Sequence, residues 1–277
     1  MTKELRETLR ETDLDLRDPA LVAKVLPLLR LVMKHWFRSE VRDIDRVPAE
    51  GGVLIVSNHS GGLMPMDVPI IAVAFHDRFG AERPLYTLAH DMLFTGAIET
   101  TMRRAGFVEA NRENAAAVLE RGAVTIVFPG GDYDSFRPTL QQNVIDFAGR
   151  TGYVRTALQA GVPIVPVVSI GGQEQQLFLW RGETLARWLR LERFMRTDYM
   201  PVGLGFPFGL TFAFPPNLPL PTKIVTQVLE PIDIEAEFGP EPDVGTDYVQ
   251  RVDEEIRRRM QVALDELAEQ RRFPVLG

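Results

Sequence analysis

The stretch VLIVSNHSGGLMPMD, residues 53–67, decides the fold. Its first five residues are rich in β-branched side chains and have no polar face. That is the composition of a strand covered on both sides in a mainly parallel sheet. The run stops at Asn58 and His59 and opens into Gly61 and Gly62. The same plan recurs twice, for VTIVF at 124–128 runs into PGGD and PIVPVVSI at 163–170 runs into GGQE. Helical patterns lie between. Residues 67–79 carry Asp67 as an N-cap and Pro69 in the first turn. Residues 114–120, NAAAVLE, are strong helix formers, and 150–160 ends at Gly161, a helix-stop signal. This alternation predicts an α/β fold, a mainly parallel central sheet flanked by helices, in which sites lie off the carboxyl ends of the strands. His59, the loop 130–134 and the loop 171–174 then share one edge.

Working outward, residues 1–17 are polar and read as a short helix. The opening residues are charged throughout and lack the apolar core of a signal peptide. Residues 19–38 differ. Leu21, Val25, Leu28, Leu29, Val32 and Trp36 recur at helical spacing among Lys24, Arg30, Lys34 and Arg38, with no acid. This is an amphipathic helix suited either to a membrane surface or to packing on the domain. Residues 1–45 are therefore set apart as an N-terminal helical, membrane-surface segment, and 46–277 as a single α/β domain ending in a long helix. That helix, 246–272, carries a stripe from Tyr248 to Leu267 and acid-before-base pairs at Asp253/Arg257, Glu254/Arg258 and Glu255/Arg259, read as a solvated face. KIVTQVLEPIDI, 223–234, alternates as a strand. Residues 199–222 hold no charge but six prolines and three glycines. No helix survives that density of breakers, so the segment reads as an extended apolar loop that packs on the core or touches lipid.

Composition removes several classes. The 277 residues carry 31 Lys and Arg against 38 Asp and Glu, a net charge of −7. Nucleic-acid binders are usually basic, so no nucleic-acid partner is expected. There is no cysteine, hence no disulfide, thiolate nucleophile or Cys-ligated metal.

Of four histidines, His35 belongs to the basic helix, His76 sits near a helix end and reads as exposed, and His90 precedes Asp91. His59 alone follows a buried strand and opens a glycine loop, where a rigid strand presents the ring and the glycines leave room for a ligand. Histidine is matched to taking a proton near neutral pH. The alternative is a loop histidine bonded to backbone carbonyls. A histidine base works best with a carboxylate on its other nitrogen, and the nearest downstream is Asp67, which also reads as an N-cap. Gly61, Gly62 and Pro65 can fold the intervening loop back. In FPGGDYDSFRP, 128–138, Gly130 and Gly131 let backbone N–H groups approach an anion and Arg137 can clamp a phosphate or carboxylate. The alternative there is a tight turn with Asp132 and Asp134 bonded to local backbone. Walker and dinucleotide fingerprints are absent, no G-x-S-x-G elbow supports a serine hydrolase, and no spacing matches a metal site.

In order, these motifs resemble the glycerophospholipid acyltransferase superfamily, typified by 1-acylglycerol-3-phosphate acyltransferases and closer here to the diacylglycerol acyltransferase-like bacterial branch. The resemblance covers residues 50–234. VLIVSNHSGGLMPMD resembles the family's His–Asp block. LFTGAIETTMRRAGFVEANR resembles its second, with Gly106 and Arg112 in place. VFPGGDYDSFRP stands where the family has F-P-E-G, and GVPIVPVVSIGG resembles the Pro-led fourth strand. The chain departs twice. The family's Asp would fall at position 64, which is Met64, whereas Asp67 lies three further on; and the family's acceptor-binding Glu falls at Gly130, which opens the acceptor to neutral hydroxyls or amines.

The resemblance implies that His59, held by Asp67, deprotonates an acceptor hydroxyl, which attacks the thioester of acyl-CoA or acyl-carrier protein. Backbone N–H groups near Gly61 and Gly62 or Gly130 and Gly131 would hold the oxyanion. Asn58, Arg112, Asp132 and Arg137 are the further substrate-side candidates, with Gln173 and Glu174 weaker ones. No metal and no cofactor is expected, acyl-CoA being a co-substrate. The implied role lies in lipid metabolism and phospholipid biosynthesis, with a lipid acceptor and a membrane surface as partners, on the cytoplasmic, inner face of the membrane. A lipid-binding relative without turnover and an acyl-thioester hydrolase are the alternatives.

Overall fold

The computed structural model describes residues 14–276, apart from 63–64, 196, 242–243 and 274. Residues 1–13 of the polar N-terminal stretch, and Met64, lie outside the described residues.

A seven-stranded sheet forms the centre. Its strands are β1 (Glu40–Arg42), β2 (Val53–Ser57), β3 (Leu85–Ala89), β4 (Phe107–Glu109), β5 (Val124–Val127), β6 (Ile164–Ile170) and β10 (Val225–Val228), in the order β1-β10-β6-β2-β5-β3-β4. Strands β4, β3, β5, β2 and β6 run parallel. β10 pairs antiparallel with β6, and β1 parallel with β10. The three apolar runs are thus adjacent, with Ile55 of β2 registered between Ile126 of β5 and Val165 of β6. From β2 the chain crosses to β3, β4 and β5 on one side, and then to β6 on the other. The order therefore reverses at β2, the point where ligand crevices form in open parallel sheets.

The helices are α1 (Pro19–His35), α2 (Asp67–Phe79), α3 (Glu99–Arg104), α4 (Arg112–Glu120), α5 (Gly131–Ser135), α6 (Gly152–Ala160), α7 (Glu183–Leu189), α8 (Leu191–Met195), α9 (Ile234–Phe238) and α10 (Thr246–Gln270). Alternate residues of β2 enter opposite layers. Val53 and Ile55 pack with Ile71 and Phe75 of α2, while Leu54 and Val56 pack with α6 and with Tyr248, Val252, Ile256 and Met260 of α10. The predicted stripe of the long helix is therefore a core face. Its charged run is less uniform than a solvated face. Asp253 is buried and accepts the Tyr153 hydroxyl at 2.8 Å, and Arg258 pairs with Glu255 instead of Glu254.

α1, capped by Asp18, forms an outer layer. Leu26 and Met33 pack with Ile70 and Val73 of α2, so the packed alternative holds for one stripe; Leu28, Leu31 and Trp36 stay exposed on another. The segment 199–222 is not a loop throughout. β8 (Val202–Gly205) and β9 (Gly209–Phe212) form a hairpin that joins β7 (Leu177–Trp180) in a second, antiparallel sheet. Alternation from Val202 to Phe212 drives this pairing, with prolines confined to the turn and flanks. Among the described residues, no helix is long and apolar enough to cross a membrane.

Candidate active site

The carboxyl ends of β2, β5 and β6 bring three loops together. β2 is buried throughout, and its direction carries Asn58 and His59 to the edge. Asn58 closes the joint to β6, for its amide donates to the Ser169 carbonyl at 2.9 Å and accepts the Ser169 N–H at 2.8 Å. Both functions of the buried amide are occupied by backbone. Asn58 therefore fixes where His59 starts, a different role from the substrate contact expected of it.

The chain turns sharply just after His59. Gly61 and Gly62 have φ of +97° and +93°, the region glycine alone enters freely. The bend returns Asp67 beneath His59 as the first residue of α2. No side chain caps that helix, because the Asp67 carboxylate is engaged elsewhere, and the N-cap expectation is corrected. Its Oδ2 lies 2.9 Å from His59 Nδ1 and accepts the Ser60 N–H at 2.9 Å, while the Ser60 hydroxyl donates to Oδ1. The carboxylate is fully buried. It can only accept, so the imidazole proton sits on Nδ1 and Nε2 is left bare. Nε2 has no hydrogen-bond partner among the described residues, and the side chain keeps 14% exposure. The ring stacks on Phe128 at the end of β5, with centroids 4.4 Å apart.

The third loop supplies a support that the sequence did not single out. Asp134, in α5, is fully buried and accepts the His59 backbone N–H at 2.7 Å. Its other oxygen takes Arg137 Nη2 at 2.9 Å and Nε at 3.2 Å. Burial pushes the Asp134 carboxyl above its ordinary range, and the Arg137 guanidinium and the His59 N–H oppose the shift. Arg137 is 4% exposed. It is thus the partner of an internal carboxylate and is not presented to a ligand. The signal for this pair was the Asp134/Arg137 spacing of three, one helical turn; the tight-turn alternative covered Asp134 but not its reach to His59.

The remaining candidates separate by their bonds. Asp132 accepts from Arg150 at 3.1 Å and from the Thr197 hydroxyl at 3.2 Å. The Gly62 N–H donates to the Ser135 carbonyl and the Gly131 N–H to the Phe128 carbonyl, so neither is open to an oxyanion. The N–H groups of Gly61 and Gly130 have no acceptor among the described residues. Gly61 is wedged against Gln173, where a Cβ would come within 2.8 Å of that Cα. Arg112 opens α4, exposed and without an ion-pair partner among the described residues. Glu174 is not on the substrate side. It is buried in a double hydrogen bond with Arg271, at 2.6 and 2.9 Å, and also accepts the Val275 N–H. His76 is buried too, with Nδ1 donating to the Gly80 carbonyl at 3.0 Å, against the exposure expected of it. Among the described residues no group of three or more His, Asp or Glu side chains is placed to hold a metal ion.

Residues 38–170 match the sequence model of a family described as Acyltransferase. An uncharacterized protein of Mycobacterium tuberculosis is 35% identical over 242 residues, which cover 86% of this chain and 65% of the relative. The chain therefore spans about 65% of the length of that relative. A bovine protein named DGAT1/2-independent enzyme synthesizing storage lipids is 26% identical over 205 residues, covering 70% of this chain and 56% of its own. Among solved structures, the 1-acyl-sn-glycerophosphate (LPA) acyltransferase PlsC of Thermotoga maritima superposes with a TM-score of 0.52 over 95% of this chain and 83% of that one, at 18% identity. That similarity concerns the fold, including its mainly parallel sheet flanked by helices.

Proposed function

We propose that the chain, whose residues 38–170 match the acyltransferase family, is a member of the glycerophospholipid acyltransferase superfamily that moves a fatty acyl group from a thioester donor, acyl-CoA or acyl-carrier protein, to a hydroxyl of a glycerolipid-type acceptor. The observation that carries this is the His59–Asp67 pair at 2.9 Å with Nε2 bare, at the carboxyl end of a central strand.

His59 Nε2 takes the proton of the acceptor hydroxyl, and that oxygen bonds to the thioester carbonyl carbon. Asp67 stabilises the imidazolium while the carbonyl oxygen becomes an oxyanion. The open N–H groups of Gly61 and Gly130 are the donors available to it. Collapse breaks the carbon–sulfur bond, and the thiolate recovers the proton from Nε2. The chemistry calls for no cofactor beyond the co-substrate. Arg112, lacking an internal anion, is the residue to meet a phosphate of donor or acceptor. Glycine at 130 stands where the resemblance implies an acceptor-binding carboxylate, so a neutral hydroxyl is as suitable an acceptor as a phosphorylated one. The lipid acceptor makes the membrane surface, on its cytoplasmic face, the working place.

The test is to incubate the protein with labelled acyl-CoA and a lipid extract and to identify the labelled product by mass spectrometry. Wild-type protein yields an acylated lipid and His59→Ala yields none while remaining folded. Product formed at the wild-type rate by His59→Ala overturns the reading, and thiol release equal with and without acceptor identifies a hydrolase.

A further inference from the structure

The hairpin of β8 and β9 has its polarity reversed. In the register, Leu204 faces Leu210 and Val202 faces Phe212 on one face, while Gly203 faces Thr211 on the other. An ordinary half-buried sheet turns its apolar face inward. Here Gly203 and Thr211 are buried, and Leu204, Leu210 and Phe212 are exposed. The turn between the strands adds Phe206, 70% exposed, and Phe208. Tryptophan placement agrees. The chain has three, and all are exposed: Trp36 by 48%, Trp180 by 44% and Trp188 by 78%. Trp36 follows α1 directly, Trp180 ends β7, the strand paired with β8, and Trp188 lies in α7, the helix after β7. Trp36 Nε1 donates to the Pro219 carbonyl at 3.0 Å and Arg38 to the Pro221 carbonyl at 3.0 Å, so the C-terminal end of α1 is joined to the segment that follows the hairpin.

Charge decides what this surface meets. Residues 19–38 hold four Lys and Arg and no acid, and residues 177–222 hold five Arg against three acids, so the two segments carry +6. The whole chain is −7, leaving −13 elsewhere. Arg187, Arg190 and Arg193 form no ion pair among the described residues and, with Glu192 and Asp198, line a recess of about 270 Å³ beside Trp188. Exposed aromatics flanked by unpaired arginines are the composition that binds an anionic membrane interface.

We propose that the β8–β9 hairpin, with Trp188 and the outer stripe of α1, is a docking surface for an anionic lipid bilayer, the hairpin tip entering the acyl region and the three arginines meeting headgroup phosphates. The surface is wired to the candidate site. Asn217, just after β9, accepts from Gln176 at 3.0 Å, and Gln175 accepts the Leu220 N–H at 2.7 Å and donates to the Gly61 carbonyl at 2.8 Å. The segment that follows the hairpin is therefore tied by hydrogen bonds to the supports of the His59 loop. This deepens the membrane-surface part of the proposed function, but its test needs no turnover.

Flotation with vesicles of phosphatidylcholine, alone and with phosphatidylglycerol, supplies the test. Wild-type protein and His59→Ala float equally with the anionic vesicles. Phe206→Ser/Phe208→Ser, folded by circular dichroism and unfolding at an unchanged temperature, loses at least tenfold in partition. Replacing Arg187, Arg190 and Arg193 by Gln lowers partition severalfold on anionic vesicles and leaves neutral ones unaffected. In a variant keeping only Trp188 (Trp36→Phe, Trp180→Phe), emission shifts to the blue and is quenched by brominated lipid. Wild-type protein that stays unbound, or a Phe206→Ser/Phe208→Ser variant that floats undiminished while a wild-type dimer dissociates, overturns the proposal, the latter assigning the face to a second copy of the chain. Flotation without acyl transfer leaves docking intact and removes the acyltransferase reading; acyl transfer without flotation does the reverse.

Discussion

Replacing Asp67 by Asn tests the charge of the site with little change of shape. Two donors, His59 Nδ1–H and the Ser60 N–H, converge on Oδ2 at 2.9 Å each. An amide NH₂ there would face both, so the Asn oxygen must take that place. The NH₂ then lies toward Ser60 Oγ, which can turn to accept. The imidazole keeps its tautomer, and what disappears is the negative charge beside it. With that nitrogen–oxygen distance the charge centres of imidazolium and carboxylate lie about 4 Å apart, worth about 4 kcal/mol at the effective dielectric of a protein site. Since 1.36 kcal/mol is about tenfold in rate, kcat/KM should fall roughly a thousandfold. The assay is acyl transfer from labelled acyl-CoA, run beside His59→Ala and the double variant. Because the two side chains act as one unit, the double variant should lose little more than His59→Ala alone. Activity of Asp67→Asn within about fivefold of wild type, or losses that multiply in the double variant, would sink the pairing as a catalytic device.

Gly61→Ala forces a Cβ onto a backbone at φ +97° and to within 2.8 Å of Gln173 Cα, so urea unfolding should show a loss of about 2 kcal/mol or more, and an unchanged midpoint would contradict the wedge. Asp134→Ala strands the buried Arg137 and the His59 N–H, and should cost about 3–5 kcal/mol, with Asp134→Asn milder; equal midpoints for wild type and Asp134→Ala would show that the buried pair is not coupled to stability. His76 is held below its ordinary value of 6.5, first by burial. The unfolded chain therefore takes a proton near pH 6.5 that the folded chain resists. This contribution is fully present above pH 6.5 and is lost as pH falls below it. The unfolding temperature should drop between pH 7.5 and 5.5, and less so in His76→Gln; parallel slopes for the two proteins would refute this assignment.

The sheet was legible because its three central runs are apolar on both faces, a pattern that few other arrangements tolerate. The same logic located the site edge, since a parallel sheet puts every strand's carboxyl end on one side. Local signals served less well where long-range partners compete for the same atoms. Asp67 has the sequence character of a cap, yet the His59 imidazole and a serine amide take its oxygens. His76 sits near a charged pair at a helix end, yet its ring turns inward to the Gly80 carbonyl. Glu174 lies in a glycine loop at the site edge, but its partner Arg271 is 97 residues away, a distance over which no spacing rule reaches.

The spacing of His59 and Asp67 differs from the one the family resemblance implies, and the loop shows how the two side chains can still meet. Hydrogen bonding to Nδ1 requires only that a carboxylate arrive beneath the ring; the number of residues between is free so long as the chain can turn. Two consecutive glycines at positive φ supply the turn, and starting α2 at Asp67 supplies a rigid end for it. The turn is also held from outside. Gln175 holds the Gly61 carbonyl, Ser135 brackets Gly62 through both its hydroxyl and its carbonyl, and Asp134 holds the His59 N–H. Those supports come from β5 and β6 neighbours, so Gly61 and Gly62 are held from the sheet edge. Adding Gly61→Ala to Asp67→Asn should therefore lower stability further without lowering kcat/KM by another thousandfold, because the first change disturbs the frame and the second has already removed the charge.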